Sequence, residues 1–316
     1  MEKRDARRAA RRPVTVLLVL AALAGGLTLA ARGWARDPAA PRPATASGPL
    51  AVDLVERVDA YTAAFAHGAY TAPDAAQRGA VADGVLAALD GRPDRAGPLL
   101  AAVGYRLTEF TEAVSGRRTA EIADASGADP RGWGRIYLDL SARTRWSAQI
   151  PHPVSDSRTE ILGAELFRAA PGGVLVLAGA HRRAGTDGSA DVAHRDDTVF
   201  AAVVEALTGR GLPGLQLHGF DEDSLPGTDA VVSSGAGAPG EAAESTAAAL
   251  EAAGLVVCRP WRQTCGRLAG ATNVGGRHAA GLGVTWLHVE LANPLRTEPA
   301  RRAEVVAALA GTAGAW

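Results

Sequence analysis

Four apolar runs of strand length each lead into a residue able to do chemistry, and this pattern constrains the fold more than any other feature of the chain. Trp146–Ile150 leads through Pro151 to His152, and Val174–Ala180 leads to His181, Arg182 and Arg183. Leu215–Leu217 leads to His218, and Thr285–Val289 leads to Glu290. The last three runs are flanked by segments with helical character. Such alternation argues for a mostly parallel sheet covered by helices on both faces. In an open sheet of this kind, ligands bind outside the carboxyl ends of the strands, so residues distant in sequence meet at one edge.

The expected order after His152 is helix 160–169, strand 174–180, helix 198–208, strands 215–217 and 230–233, helix 241–253, strand 255–258, strand 285–291 and helix 299–309. Ahead of it, helical periodicity runs from Leu50 to Leu89, with Ala75–Leu89 as a second helix. A hairpin turns at Ser115-Gly116, and strands follow at 135–141 and 146–150. The reading is therefore an α/β fold: a mostly parallel (mixed) sheet with helices on both faces, plus an N-terminal α+β extension. Its expected divisions are a leader at 1–36, a linker at 37–49, the extension at 50–145 and the main domain at 146–316.

The leader has a basic stretch through Arg12, then 19 residues without a charge from Pro13 to Ala31, closed by Arg32 and Arg36. This reads as a signal peptide or an uncleaved anchor. The expected location is extracytoplasmic: anchored in the membrane by residues 13–31, or secreted after cleavage. The Pro- and Ala-rich segment 37–48 reads as a tether. Cys258 and Cys265 are the only cysteines, and in an oxidising compartment they are expected to form a short-loop disulfide. Net charge is −1, which gives no reason to expect a nucleic-acid partner.

Ile150-Pro-His-Pro-Val-Ser-Asp-Ser-Arg-Thr-Glu160 is the densest polar segment, with His152, Asp156 and Glu160 at a strand-to-helix junction. A catalytic zinc takes three protein ligands and keeps an open position. His152 with Glu160 or Asp156 would be the near pair and His218 the distant ligand. Asp156 or Glu160 could instead serve the helix N-terminus. Glu290, inside a very apolar strand, is costly to bury unless it is useful, and it suits a general base acting on a metal-bound water. His181, Arg182, Arg183, His194 and Arg195 supply cations or donors for substrate, and Asn273 and Arg277 lie in a Gly-rich segment able to line the site. Gly235-Ala-Gly-Ala-Pro-Gly240 imitates a dinucleotide loop, but the acidic residue expected about 20 positions later is missing.

The order of these residues resembles the zinc carboxypeptidase-like superfamily, with the N-formylglutamate amidohydrolase group as a close relative. The resemblance covers residues 146–310 and matches His152, Glu160 or Asp156, Arg182 or Arg195, His218 and Glu290 to the superfamily's pattern. Carboxypeptidases use His-x-x-Glu, whereas Ser155 stands at the third position after His152. The resemblance implies one zinc per chain and hydrolysis of an amide or peptide bond next to a carboxylate, with a peptide or an N-acyl amino acid as substrate. The rival expectation is a non-catalytic envelope domain with a degraded site.

Overall fold

The computed structural model describes residues 50–67 and 70–316, so the expected leader, with its apolar span 13–31, and the whole expected linker lie outside the described residues. No helix among the described residues is long and apolar enough to cross a membrane. The strands are β1 (Ala51–Val52), β2 (Tyr105–Glu112), β3 (Arg118–Asp124), β4 (Arg135–Asp139), β5 (Trp146–Ile150), β6 (Gly173–Leu177), β7 (Gly214–Gly219), β8 (Ala230–Ser233), β9 (Val257–Cys258) and β10 (Trp286–Leu291). The helices are α1 (Leu54–Thr62), α2 (Ala75–Leu89), α3 (Pro93–Ala101), α4 (Thr159–Ala169), α5 (Val199–Gly209), α6 (Glu241–Ala252), α7 (Val274–Leu282), α8 (Asn293–Thr297) and α9 (Pro299–Ala315).

All ten strands form one mixed sheet in the order β1-β2-β3-β4-β6-β5-β7-β10-β8-β9. The centre, β6-β5-β7-β10, is parallel. The hairpin strands β2, β3 and β4 are antiparallel, and β4 pairs with β6, so the segments 50–145 and 146–316 share one sheet. From β5 the chain passes to β6 on one side and then to β7 on the other. That reversal of direction is a topological switch point, where the crevice for a ligand opens.

Strand alternation divides the core in two. In β6, Leu175 and Leu177 face the cluster built with α1, α4, α6 and α9, while Val174 and Val176 face the one built with α2, α3 and α5. Local signals start several helices: Asp74 and Gln77 form a capping box at α2, and Thr198 accepts from Ala201 N–H at α5. The sequence did not suggest α7, which carries three glycines. A Cβ at Gly276 would lie 2.7 Å from the Trp286 ring, so glycine lets this helix sit directly on β10.

Candidate metal centre

At the sheet centre the side chains of β5, β7 and β10 on the α7 face are polar, apart from Trp286, whose ring meets α7. Ser147, Gln149, Gln216, His218, His288 and Glu290 are all buried there. Burial of so many polar groups is tolerable only if they are paired, and most are. Gln149 Nε2 donates to Ser147 Oγ at 3.1 Å, while Gln149 Oε1 accepts from Gln216 Nε2 at 3.1 Å and Trp286 Nε1 at 3.0 Å. Gln216 Oε1 in turn accepts from Asn273 Nδ2 and faces His218 Nε2 at 2.9 Å. This chain of amides fixes the tautomer of His218. Nε2 carries the proton, and Nδ1 presents a lone pair.

His152 is set in a matching way. It lies two residues past β5, and its Nε2 is 2.8 Å from Asp191 Oδ1. Both histidines thus have Nε2 tied to a hydrogen-bond acceptor, and both turn Nδ1 toward one carboxylate. Asp156 Oδ2 lies 3.2 Å from His152 Nδ1 and 3.1 Å from His218 Nδ1. A tetrahedral zinc with bonds of about 2.0–2.1 Å separates neighbouring ligand atoms by about 3.3 Å. A lone pair of neutral His218 pointed at a carboxylate oxygen is repulsive unless a cation lies between them. The donor set, two imidazoles and a carboxylate with the far nitrogens held by a carboxylate and an amide, fits zinc.

The electrostatics follow the geometry. Burial works against charge on His152, but hydrogen bonds to Asp156 and Asp191 outweigh it and raise its pKa. Burial dominates at His218 and lowers its pKa, leaving it neutral. Asp156 is held well below the usual carboxylate range: burial works against its charge, but the hydrogen bond from His152 and the closeness of the two imidazoles outweigh it. Glu290, paired in register with His218 across β10 and β7, is pushed up to about 8 by burial and by the charge of Asp156. Among the described residues its Oε2 has no hydrogen-bond partner, nor does Nδ1 of His288. His218, His288 and Glu290 also bring ligand atoms within 4.8 Å of one another. Both nitrogens of His218 are already directed elsewhere, which leaves that second group with two free members.

The turn that presents Asp156 is unusual. Val154, Ser157 and Arg158 have φ of 67°, 30° and 66°, a left-handed region costly for such residues and above all for a β-branched one. Arg296 holds this turn in place. Its buried guanidinium donates to the carbonyls of Asp156 and Ser157, and also to those of Leu291 and Phe220. Glu160 braces the turn from within, accepting from Val154 N–H at 3.2 Å.

The structure brings His152, Asp156 and His218 together as one group of ligand atoms, with Glu290 beside it, and does not bring Glu160 into any such group. A cavity of about 180 Å³ opens there, lined by His152, Arg182, His194, His218, Arg267 and Glu290 among others. Arg182 donates to Asp191 Oδ2 at 2.7 Å, and His194 is 3.3 Å from Asp191 Oδ1. Asn273 also lines the cavity and caps α7, accepting from Gly276 N–H. His181, Arg183, Arg195 and Arg277 do not line it. His181 accepts from Arg183 N–H, Arg195 pairs with Asp197, and Arg277 is exposed on α7. Cys258 and Cys265 form a disulfide.

Sequence reasoning missed Asp191, Gln149, Gln216, His288 and Arg267. Gln216 and His288 each stand two residues before a residue that was singled out, which on a strand means the same face. Asp191 opens the segment that holds His194 and Arg195. These were the available signals.

No protein-family model matches the chain, and no curated protein does. Among solved structures, it is similar to an N-formylglutamate amidohydrolase from Ralstonia eutropha JMP134, with 16% identity and a TM-score of 0.40 over 57% of this chain and 95% of that one. It is similar to the zinc-free apo form of YNDL, with 16% identity and a TM-score of 0.42 over 58% of this chain and 90% of that one. A bacteriophage poly-gamma-glutamate hydrolase shares 14% identity, with a TM-score of 0.40 over 61% of this chain and 92% of that one. Likenesses this remote carry no weight for activity, and the chemistry has to be read from the side chains.

Proposed function

We propose that this chain is a zinc-dependent hydrolase of an amide or peptide bond next to a carboxylate. The observation that carries the reading is the convergence of His152 Nδ1, Asp156 Oδ2 and His218 Nδ1, with each Nε2 already committed to Asp191 or Gln216. His152, Asp156 and His218 would hold the metal. When bound, zinc supplies a Lewis acid that polarises the scissile carbonyl and acidifies water, and its charge draws the proton affinity of Glu290 back down.

Glu290 moves the proton. Its carboxyl sits beside His218 in an apolar strand; burial raises its proton affinity, and a neighbouring cation would bring it down far enough to leave the carboxylate ionised, able to accept a proton from water and return it to the leaving amine. Asp191 keeps His152 oriented through Nε2, and Gln216 does the same for His218. Arg182, held by Asp191, places a guanidinium at the cavity wall, where it can stabilise negative charge developing on the carbonyl oxygen. The disulfide supports an extracytoplasmic location, with residues 13–31 as anchor or cleaved signal.

Metal analysis of the purified protein, paired with hydrolysis of a panel of N-acyl amino acids and short peptides, tests the reading. It expects about one zinc per chain and amine release that depends on zinc. Protein that neither retains nor rebinds zinc would overturn it in favour of a non-catalytic binding domain.

A further inference from the structure

Part of the cavity wall comes from a long irregular segment between β9 and α7, which contributes Arg267, Gly270, Thr272 and Asn273. This segment is rooted in three places. Cys258 in β9 is bonded to Cys265, Ser233 Oγ donates to the carbonyl of Ala269 at 2.6 Å, and Asn273 Nδ2 donates to Gln216. Cys258 and Cys265 pack against Val231 of β8, with Leu268 alongside. Between these anchors lies Arg267, two residues past Cys265. It is exposed, and it lines the cavity.

The cations around this cavity are otherwise occupied. Arg182 and His194 both pair with Asp191. In the same segment Arg259 pairs with Glu244 and Glu251, and Arg262 pairs with Glu244. Arg267 has no ion pair among the described residues. Among the described residues Glu290 is the only acidic one lining the cavity, and it is buried. An unpaired guanidinium at the mouth of a small cavity offers a planar fork of donors matched to a carboxylate.

We infer that Arg267 is the specificity-determining residue of this cavity and binds a carboxylate of the substrate. This deepens the hydrolase reading, since it takes the cavity to be where substrate sits. It assigns charge selection to a residue on a disulfide-rooted segment, not to the strand-end arginines.

The test is calorimetric titration of the full chain, in zinc-loaded and metal-free forms, with N-acetylglycine and its neutral isostere N-acetylglycinamide. The expected preference for the acid is about tenfold or more, and it persists without metal. Arg267→Gln should erase the preference and leave the affinity for the amide unchanged, while Arg267→Lys should retain part of it. A preference that survives Arg267→Gln, or none in the wild type at millimolar ligand, would overturn the assignment. Failure of the hydrolase reading shows separately, as absence of zinc or turnover while the metal-free charge preference remains.

Discussion

Strands β5, β7 and β10 present two unlike faces. Toward α4 and α9 they show Trp146, Ala148, Ile150, Leu215, Leu217, Leu287, Val289 and Leu291, an uninterrupted apolar layer. Toward α7 the intervening residues are Ser147, Gln149, Gln216, His218, His288 and Glu290. Both faces are buried, yet one is held by packing and the other by a chain of amides ending at His218. A period of two residues therefore separates the stability of this sheet from its chemistry within the same three strands.

Substitutions on each face can break that separation. The largest effect is expected from His218→Ala. Zinc content measured by elemental analysis should fall from about one per chain to near zero, with circular dichroism unchanged. Stoichiometric zinc in that variant would remove His218 from the ligand set. Leu217→Ala, one residue away on the other face, should cost about 2–5 kcal/mol in denaturant unfolding of the metal-free protein. Its zinc affinity should stay close to that of the wild type; a large loss would mean that the two faces are coupled.

At the N-terminal edge of the sheet the contrast reverses, because charge there lies on the α1 face. Glu121 of β3 receives hydrogen bonds from Arg57, Arg135 and Tyr137, and these hold its carboxyl below the ordinary value despite burial. A lowered native pKa contributes stability that is present above the unfolded value of 4.5 and is lost as pH falls through the native one. Glu121→Gln should thus cost about 1.5–3 kcal/mol at neutral pH. The gap from wild type should narrow as pH falls below 4.5, as followed by urea midpoints. A constant gap would show that packing, not charge, is what Glu121 contributes.

The smallest effect tests the support behind the proposed ligands. Asp191→Asn keeps the shape but weakens the hold on His152 Nε2, and zinc affinity measured by chelator competition should drop about 10- to 100-fold. No change would mean that His152 is oriented by the turn alone.

The sequence made the sheet legible because strands buried on both faces read as apolar runs, and His152, His218 and Glu290 stood out as the polar residues beside them. The competing carboxylates were not separable that way. Asp156 and Glu160 both precede or begin a helix, and only the left-handed residues Val154, Ser157 and Arg158 decide which one turns inward. That backbone is imposed by Arg296, about 140 residues away in sequence, which no local pattern reports. Gln149 and Gln216 were invisible for a related reason, since a lone glutamine in a strand means little until its partner on the next strand is known. Helix α3 escaped notice because Pro98 lies inside it.

The strand order has a consequence for how the chain comes together. Among the described strands β10 comes last in sequence, yet it lies between β7 and β8. During synthesis from the N-terminus, β7 and β8 are both made while the slot between them is empty, and each presents an open edge until residues 286–291 arrive. The same insertion delivers Glu290, and Arg296 follows directly to lock the Asp156 turn. The cleft is thus completed late, so a chain cut before β10 has the imidazoles of His152 and His218 but neither the buried carboxyl of Glu290 nor the guanidinium that pins the Asp156 turn.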